Sequence, residues 1–254
     1  MAHQVGGLYD TRFEHDSCGF GLIANLDNQA SRWVVETGLT ALARLAHRGA
    51  VAADGASGDG CGVLLARPEK FLRAVAGECG IRLGPVFSAG TIFLPREDEA
   101  AAECRAVLTA ELERVEVRVA GWRVVPTNLD ACGEIARRSV PRIEQVFVGP
   151  AASMDQTSFN RALFVARRRA EQRLHATQPA FYAVSLSAWT LGYKGMMLPA
   201  ALPAFYPDLA REDMQAAVMV FHQRFSTNTA PAWKLAQPFR LLAHNGEINT
   251  IEGN

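Results

Sequence analysis

The chain has 254 residues, 49% hydrophobic and 20% charged, the composition of a globular protein with a sizeable core and no long disordered stretch. Its 26 basic and 26 acidic side chains cancel, so no net field draws it to nucleic acid or to an anionic membrane. There is no run of eighteen apolar residues to span a bilayer and no basic start followed by an apolar stretch to mark a secretory signal, so neither a membrane span nor a secretory signal is expected.

In chain order, residues 1–17 are polar and irregular, and read as a leader rather than a core element. The apolar alternation of Cys18-Gly-Phe-Gly-Leu-Ile-Ala24 predicts a strand with one buried face. Val34, Val35, Leu39, Leu42, Ala43 and Ala46 recur at helical spacing, so residues 33–46 are expected to form an amphipathic helix that stops at His47-Arg48-Gly49. A glycine-rich loop is expected over 54–62, then a strand at 63–66 and a short helix near 69–78. Further strands are expected at 85–94, 115–125, 143–148 and 180–190, and helices at 98–113 and 156–175. The basic run Arg167 to Arg169 lies beside Glu171 and reads as a solvated helix face. Residues 192–196 resemble a turn, 214–222 are apolar again, and 241–244 make a short apolar run. Strands and helices mix without a strict alternating rhythm, which favours a layered α+β sheet structure over a doubly wound parallel one. The end at Glu252-Gly253-Asn254 reads as cut from something longer.

Five cysteines, Cys18, Cys61, Cys79, Cys104 and Cys132, form an odd set with no C-x-x-C pair. They are expected to be reduced thiols of a cytoplasmic protein, most of them small core hydrophobes, with no disulfide frame or zinc site. The six histidines show no metal-ligand spacing. The glycines of 54–62 lack both nucleotide-binding signatures.

Three stretches could carry chemistry. Cys18 stands between the polar leader and the strand, flanked by Gly19 and Gly21. It is either a buried strand cysteine or, if residues 1–17 are removed, a terminal thiol beside its own α-amino group. That amine has an unperturbed pKa of roughly 7.7–8.0, suited to moving a proton at neutral pH. His222-Gln-Arg-Phe-Ser-Thr-Asn-Thr229 follows one arginine with small hydrogen-bonding groups. It is a surface turn, or a site in which Arg224 forks onto a carboxylate. Asn245-Gly246 is a hairpin signal, or a pair of donors to one oxygen, an oxyanion hole worth about 2.7–4 kcal/mol per donor.

Taken together with His47-Arg-Gly-Ala50, Gly58-Asp-Gly-Cys-Gly62, Pro141-Arg-Ile-Glu-Gln-Val-Phe147 and Tyr193-Lys-Gly-Met196, these stretches resemble, in order and across nearly the whole chain, the glutamate synthase large-subunit family. The resemblance implies a class II glutamine amidotransferase domain over 18–254, with a removable leader over 1–17. The implied fold is the four-layer α/β/β/α sandwich of N-terminal-nucleophile hydrolases, incomplete at the C-terminus. By position, Cys18 inherits the nucleophile role and Asn245 and Gly246 the oxyanion hole. Arg224 matches the arginine that clamps the glutamine α-carboxylate, Phe225 and Thr227 line the same cleft, and Arg48 supports the nucleophile strand. Asn228 stands where other branches of the class often have histidine, which suits the synthase branch. The acidic residue that holds the substrate amino group would lie beyond Asn254. No cofactor or metal is expected in this segment. FMN and an iron–sulfur cluster are implied for the downstream part, with NADPH or ferredoxin as electron donor. Implied partners are L-glutamine, the rest of the large subunit and a small NADPH-oxidising flavoprotein subunit. Rival readings are another member of the same class, a non-catalytic amino-acid-binding module and a thiol-redox protein.

Overall fold

A computed structural model describes residues 19–223 and 230–239. Its first strand, β1 (Phe20–Ala24), leads through a turn to α1 (Arg32–Arg44). Ser31 caps that helix, its hydroxyl accepting from the Val34 N–H at 3.3 Å. Val34, Val35, Gly38 and Leu42 form the buried stripe of α1. A 3-10 turn, Ala46–Arg48, follows it. Next come β2 (Ser57–Ala66), α2 (Glu69–Glu78), β3 (Ser88–Leu94), α3 (Asp98–Glu113) and β4 (Val117–Val124). Then come α4 (Glu134–Arg138), β5 (Arg142–Pro150), α5 (Gln156–Leu174), β6 (Tyr182–Ala183), β7 (Thr190–Met197), α6 (Leu202–Phe205) and β8 (Val218–Gln223). The long helix α5 starts at Asp155, whose carboxylate accepts from the N–H groups of Thr157 and Ser158, both at 3.0 Å.

These strands make two antiparallel four-stranded sheets, ordered β1-β8-β2-β7 and β4-β5-β3-β6. In the first, Val63 pairs with both Phe221 and Tyr193, and Leu65 with both Met219 and Leu191. Paired residues share a face, so these six side chains form one apolar surface. They belong to a continuous buried core with Val34, Val35 and Leu42 of α1 and with Ala89, Phe93 and Phe147 of the second sheet. The opposite face of the second sheet presents Ile92, Leu94, Val146 and Val148. These pack against Cys104, Leu108 and Leu112 of α3 and Phe159 and Leu163 of α5. The layers thus run helix, sheet, sheet, helix, an α+β sandwich of the kind the resemblance implies.

A buried polar network joins the sheets. The Arg123 guanidinium pairs with Asp208, and its Nε donates to Gln145 Oε1 at 2.8 Å. The Tyr193 hydroxyl donates to Asp208 Oδ2 at 2.8 Å and accepts from Gln145 Nε2 at 3.0 Å. The charged pair is tolerable in the interior because neutral groups take up its remaining hydrogen-bonding capacity.

Some expectations from the sequence are corrected. Residues 57–62 are strand, not loop: β2 runs through the glycines and pairs on both sides. Residues 192–196 lie inside β7 rather than in a turn. Local composition misled in both places because these glycines admit neighbouring chain rather than bend their own. The strand expected at 180–190 is only two residues long as β6. Beyond it, the chain is held by side chains: Ser185 Oγ accepts from the Gly192 N–H at 2.9 Å, and Asn160 Oδ1 from the Ala188 N–H at 3.0 Å. The short helices α4 and α6 had no amphipathic period long enough to reveal them. The apolar run 241–244 lies outside the described residues.

Asp54 braces the approach to β2. Its carboxylate accepts from the N–H groups of Ser57 and Ile135, both at 2.8 Å, and from the Ser57 hydroxyl at 2.6 Å. Ser57 in turn accepts from the Ala136 N–H at 2.9 Å. The Ser57 donors foremost hold the Asp54 carboxyl well below the usual carboxylate range.

Two outcomes follow. Replacing Asp208 with asparagine leaves Arg123 as a buried charge without its counter-ion, and is expected to lower unfolding free energy by about 3–5 kcal/mol in urea titration. Because the folded-state pKa of Asp54 is depressed, its stabilisation is present above the unfolded carboxyl value, near 3.9, and is lost as pH falls toward the folded value. Melting curves from about pH 5 to about pH 2 should therefore fall more steeply for the wild type than for Asp54→Asn.

Candidate active site

Pairing of β1 with β8 runs from Ala24↔Val218 to Phe20↔His222. One step further, the Gln223 N–H donates to the Gly19 carbonyl at 2.5 Å. Gln223 also pairs with Cys61 on β2. A Cβ on Gly19 would lie 2.2 Å from the Gln223 carbonyl oxygen, and one on Gly49 would lie 1.7 Å from Gln223 Nε2. Gly19 therefore demands glycine, because the Gln223 backbone approaches too closely for any side chain, whereas at Gly49 the space is taken by the Gln223 side chain. The loop carrying Gly49 is fixed from the other side, where the Ala50 N–H donates to Asp59 Oδ1 and the Asp59 N–H to the Ala50 carbonyl, each at 3.2 Å.

This junction gathers the chain neighbours of three expected site residues. Gly19 follows Cys18, Gly49 follows Arg48, and Gln223 precedes Arg224. Arg48 itself ends the 3-10 turn Ala46–Arg48 and is half-buried. Cys18, Arg224, Phe225, Thr227, Asn245 and Gly246 lie outside the described residues.

The segment 230–239 joins the Arg224 stretch to the Asn245 stretch, and it lies directly on the first sheet. Added Cβ atoms on Gly60, Gly62 and Gly195 would meet Ala236 Cβ at 2.9 Å, the Gln237 carbonyl at 2.6 Å and the Trp233 ring at 2.5 Å. The glycine-rich stretch is thus a bed for the protein's own chain, filled by it, and not an open phosphate cradle. Trp233 anchors one end: its indole N–H donates to the Ala136 carbonyl at 3.1 Å and its ring meets Phe93 edge-on at 6.1 Å. Lys194 anchors the other. Its ammonium donates to the Lys234 carbonyl at 2.8 Å and the Tyr182 hydroxyl at 3.3 Å, over the rings of Tyr182 and Phe239 at 4.5 and 4.6 Å. Burial holds the Lys194 pKa well below the usual lysine value. Residue chemistry alone did not single out Lys194 or Trp233. The one available signal was the position of Lys194 within Tyr193-Lys-Gly-Met196.

Three of the four described thiols are unsuited to nucleophilic work. Burial pushes the pKa of Cys61 far up, that of Cys104 up to about 11, and that of Cys132 upward. Cys79 is exposed at the end of α2. Among the described residues no three His, Cys, Asp or Glu side chains gather as a metal site, and no helix is long and apolar enough to cross a membrane.

The profile of the family Glutamine amidotransferases class-II matches residues 18–254. The chain is 45% identical over 253 residues to the glutamate synthase [NADPH] large chain of Azospirillum brasilense, covering 98% of this chain and 17% of that protein. It is 39% identical to the corresponding large chain of Bacillus subtilis, covering 98% and 16%. It is 40% identical to the chloroplastic ferredoxin-dependent glutamate synthase of Spinacia oleracea, covering 100% and 16%. The chain thus spans about a sixth of the length of these curated relatives.

Gly62→Ala is the substitution that tests the bed. Its methyl would press on Lys194 Cβ at 2.5 Å and on the Gln237 carbonyl. It is expected to cost about 1–3 kcal/mol in denaturant titration, as overpacking does, and to make the 230–239 segment more sensitive to limited proteolysis.

Proposed function

The chain belongs to the class-II glutamine amidotransferases, and on that premise we propose that it is the glutamine-hydrolysing part of a glutamate synthase. Residues 1–17 are a removable leader and 18–254 the amidotransferase region. The observation that carries this reading is the junction at Gln223, where the neighbours of Cys18, Arg48 and Arg224 meet within hydrogen-bonding and contact distance.

In this mechanism, removal of the leader makes Cys18 the first residue. Its α-amino group takes the thiol proton, and the thiolate adds to the side-chain amide carbon of L-glutamine. The Asn245 side-chain amide and the Gly246 N–H hold the oxyanion, where donors placed in advance act without reorganising. Return of the proton to the leaving nitrogen expels ammonia and leaves a γ-glutamyl thioester. Water, deprotonated by the same amine, then releases glutamate and the thiol. Arg224 grips the α-carboxylate through two parallel hydrogen bonds, Phe225 and Thr227 line the cleft, and Arg48 steadies the start of β1.

The larger protein would use the ammonia with 2-oxoglutarate to make a second glutamate. FMN and an iron–sulfur cluster would serve that reductive half from residues outside this segment. The names of the relatives include both NADPH-linked and ferredoxin-linked enzymes, so either donor is compatible. With NADPH, a small flavoprotein subunit would supply the electrons. A cytoplasmic setting accords with the use of reduced thiols.

Cys18→Ala should lower glutamine-dependent turnover at least about 1,000-fold, as loss of a nucleophile does, and leave ammonia-dependent synthesis in place. Intact-mass measurement of the active protein should show the first seventeen residues gone (Met1 to Ser17). Full activity with the leader attached, or unchanged glutamine hydrolysis in the variant, would refute the assignment.

A further inference from the structure

A cleft of about 520 Å³ opens at one end of the second sheet, where the loop 82–87 between α2 and β3 faces the start of β4 and the end of β5. Among the described residues, none of the Gln223 junction, Arg48 or the 230–239 segment lines it. Its volume falls within the roughly 300–1,000 Å³ of small-molecule sites. Four half-buried apolar side chains form the walls: Leu83, Val86, Val119 and Met154. Leu83 packs against the core shared by the two sheets, and the other three against the core under α3 and α5. The cleft thus follows the seam between two separately packed cores.

One wall is held from behind. Arg67 Nη1 donates to the Phe87 carbonyl at 2.9 Å and Arg73 Nη1 to the Gly84 carbonyl at 3.3 Å. Both guanidinium groups also pair with Glu69, at 3.1 and 2.9 Å. On the β4 side the register shifts between Val119 and Gly121, leaving Ala120 without a partner on β5. Such bulges recur beside functional sites because the extra residue re-aims its neighbours. Arg118, just before the bulge, stands opposite Gly149. Gly149 lacks the left-handed backbone that would itself call for glycine. A Cβ there would meet the Val86 carbonyl at an ordinary 3.4 Å, so the missing side chain leaves space open rather than relieving a clash.

The charge inside the cleft is one-sided. Arg82 and Arg118 both line it, both are exposed, and among the described residues neither makes a hydrogen bond or an ion pair. No acidic side chain among the described residues lines it. Elsewhere on the second sheet and its helices, paired arginines share a carboxylate: Arg105 and Arg142 share Glu144, and Arg114 and Arg173 share Glu111. Two guanidinium forks above apolar walls match a ligand with an anionic head and an apolar body. A free amino acid fits badly, because its ammonium group would meet two cations and no carboxylate.

We propose that this cleft is a binding site for an amphipathic carboxylate, an organic acid whose head pairs with Arg82 and Arg118 and whose hydrocarbon body lies between Leu83, Val86, Val119 and Met154. The flexible thioether of Met154 adapts that wall to bodies of different shape. The site stands apart from the amidotransferase reading and does not depend on it.

The experiment follows amide hydrogen exchange in the intact protein, read by mass spectrometry in the peptides that span 82–87 and 148–154. A local readout keeps anion binding elsewhere in the protein out of the measurement. Butyrate, hexanoate and octanoate are titrated as probes, with inorganic phosphate alongside. The carboxylates should protect both segments, and affinity should rise about fourfold for each added methylene, as burial of a CH₂ group predicts. The double substitution Arg82→Gln with Arg118→Gln should weaken octanoate at least about tenfold. Melting temperature and glutamine hydrolysis should stay unchanged in it, because exposed side chains without partners contribute little to the fold. Gly149→Val, which puts a side chain toward Val86, should abolish protection at an octanoate concentration that saturates the wild type.

Equal protection by phosphate would reduce the cleft to a place where counter-ions gather on two arginines, and would overturn the proposal. An affinity independent of chain length would do the same, since the apolar walls would then be unused. So would octanoate protection that survives the double substitution, or the absence of protection in either segment. Where Gly149→Val fails to fold, the arginine variants still decide the matter, because they leave the core untouched.

Discussion

The antiparallel register of β1 against β8 is the constraint on which the site depends. It carries the chain from Ala24 back to Gly19 and from Val218 forward to Gln223. Two stretches separated by some two hundred residues of sequence are thereby brought to one end of one sheet. A slip of a single residue would turn every side chain of β1 to the other face. The Gly19 and Gly21 positions resist such a slip, because added Cβ atoms there would meet the Gln223 carbonyl at 2.2 Å and the Phe221 ring at 2.3 Å. β2 secures the same register from the far side through Cys61↔Gln223 and Gly62↔His222.

Around that seam the protein spends its polar groups in two ways. Between the sheets, Arg123, Asp208, Tyr193 and Gln145 satisfy one another, and their network gives the sandwich a specific alignment that apolar packing alone would define less sharply. Along the first sheet, Lys194 and the glycines of β2 and β7 hold the 230–239 segment flat against the strands. The expected carboxylate clamp lies just before that segment in sequence and the expected oxyanion donors just after it. A rigid span between them is what preorganised catalysis requires, since misplacement by an ångström can cost about 100-fold in rate.

Much of this was legible in the residues. The helices α1, α2, α3 and α5 follow apolar periods and caps that can be read directly, because a helix is set by contacts three and four residues apart. The strands β3, β4 and β5 follow from apolar alternation bounded by turn residues. The glycine-rich stretch was misread as a loop because glycine has the same local signature in a turn and in a strand that another chain segment must approach. Only the positions of Ala236, Gln237 and Trp233 distinguish the two. The two-residue β6 shows the reverse error. Its neighbours are apolar enough for a longer strand, but side-chain hydrogen bonds from Ser185 and Asn160 take over the backbone there.

By itself, the sequence determined the kind of protein this is. The order and identity of its motifs mark a class II glutamine amidotransferase. Tertiary structure alone decided which residues stand together: that Gly19, Gly49 and Gln223 meet, that Lys194 grips Lys234, and that Arg82 and Arg118 line one cleft. The physical reason is range. Side-chain chemistry and local periodicity are properties of a few consecutive residues, whereas packing and hydrogen-bond satisfaction are settled between strands remote in sequence, after the whole core has closed.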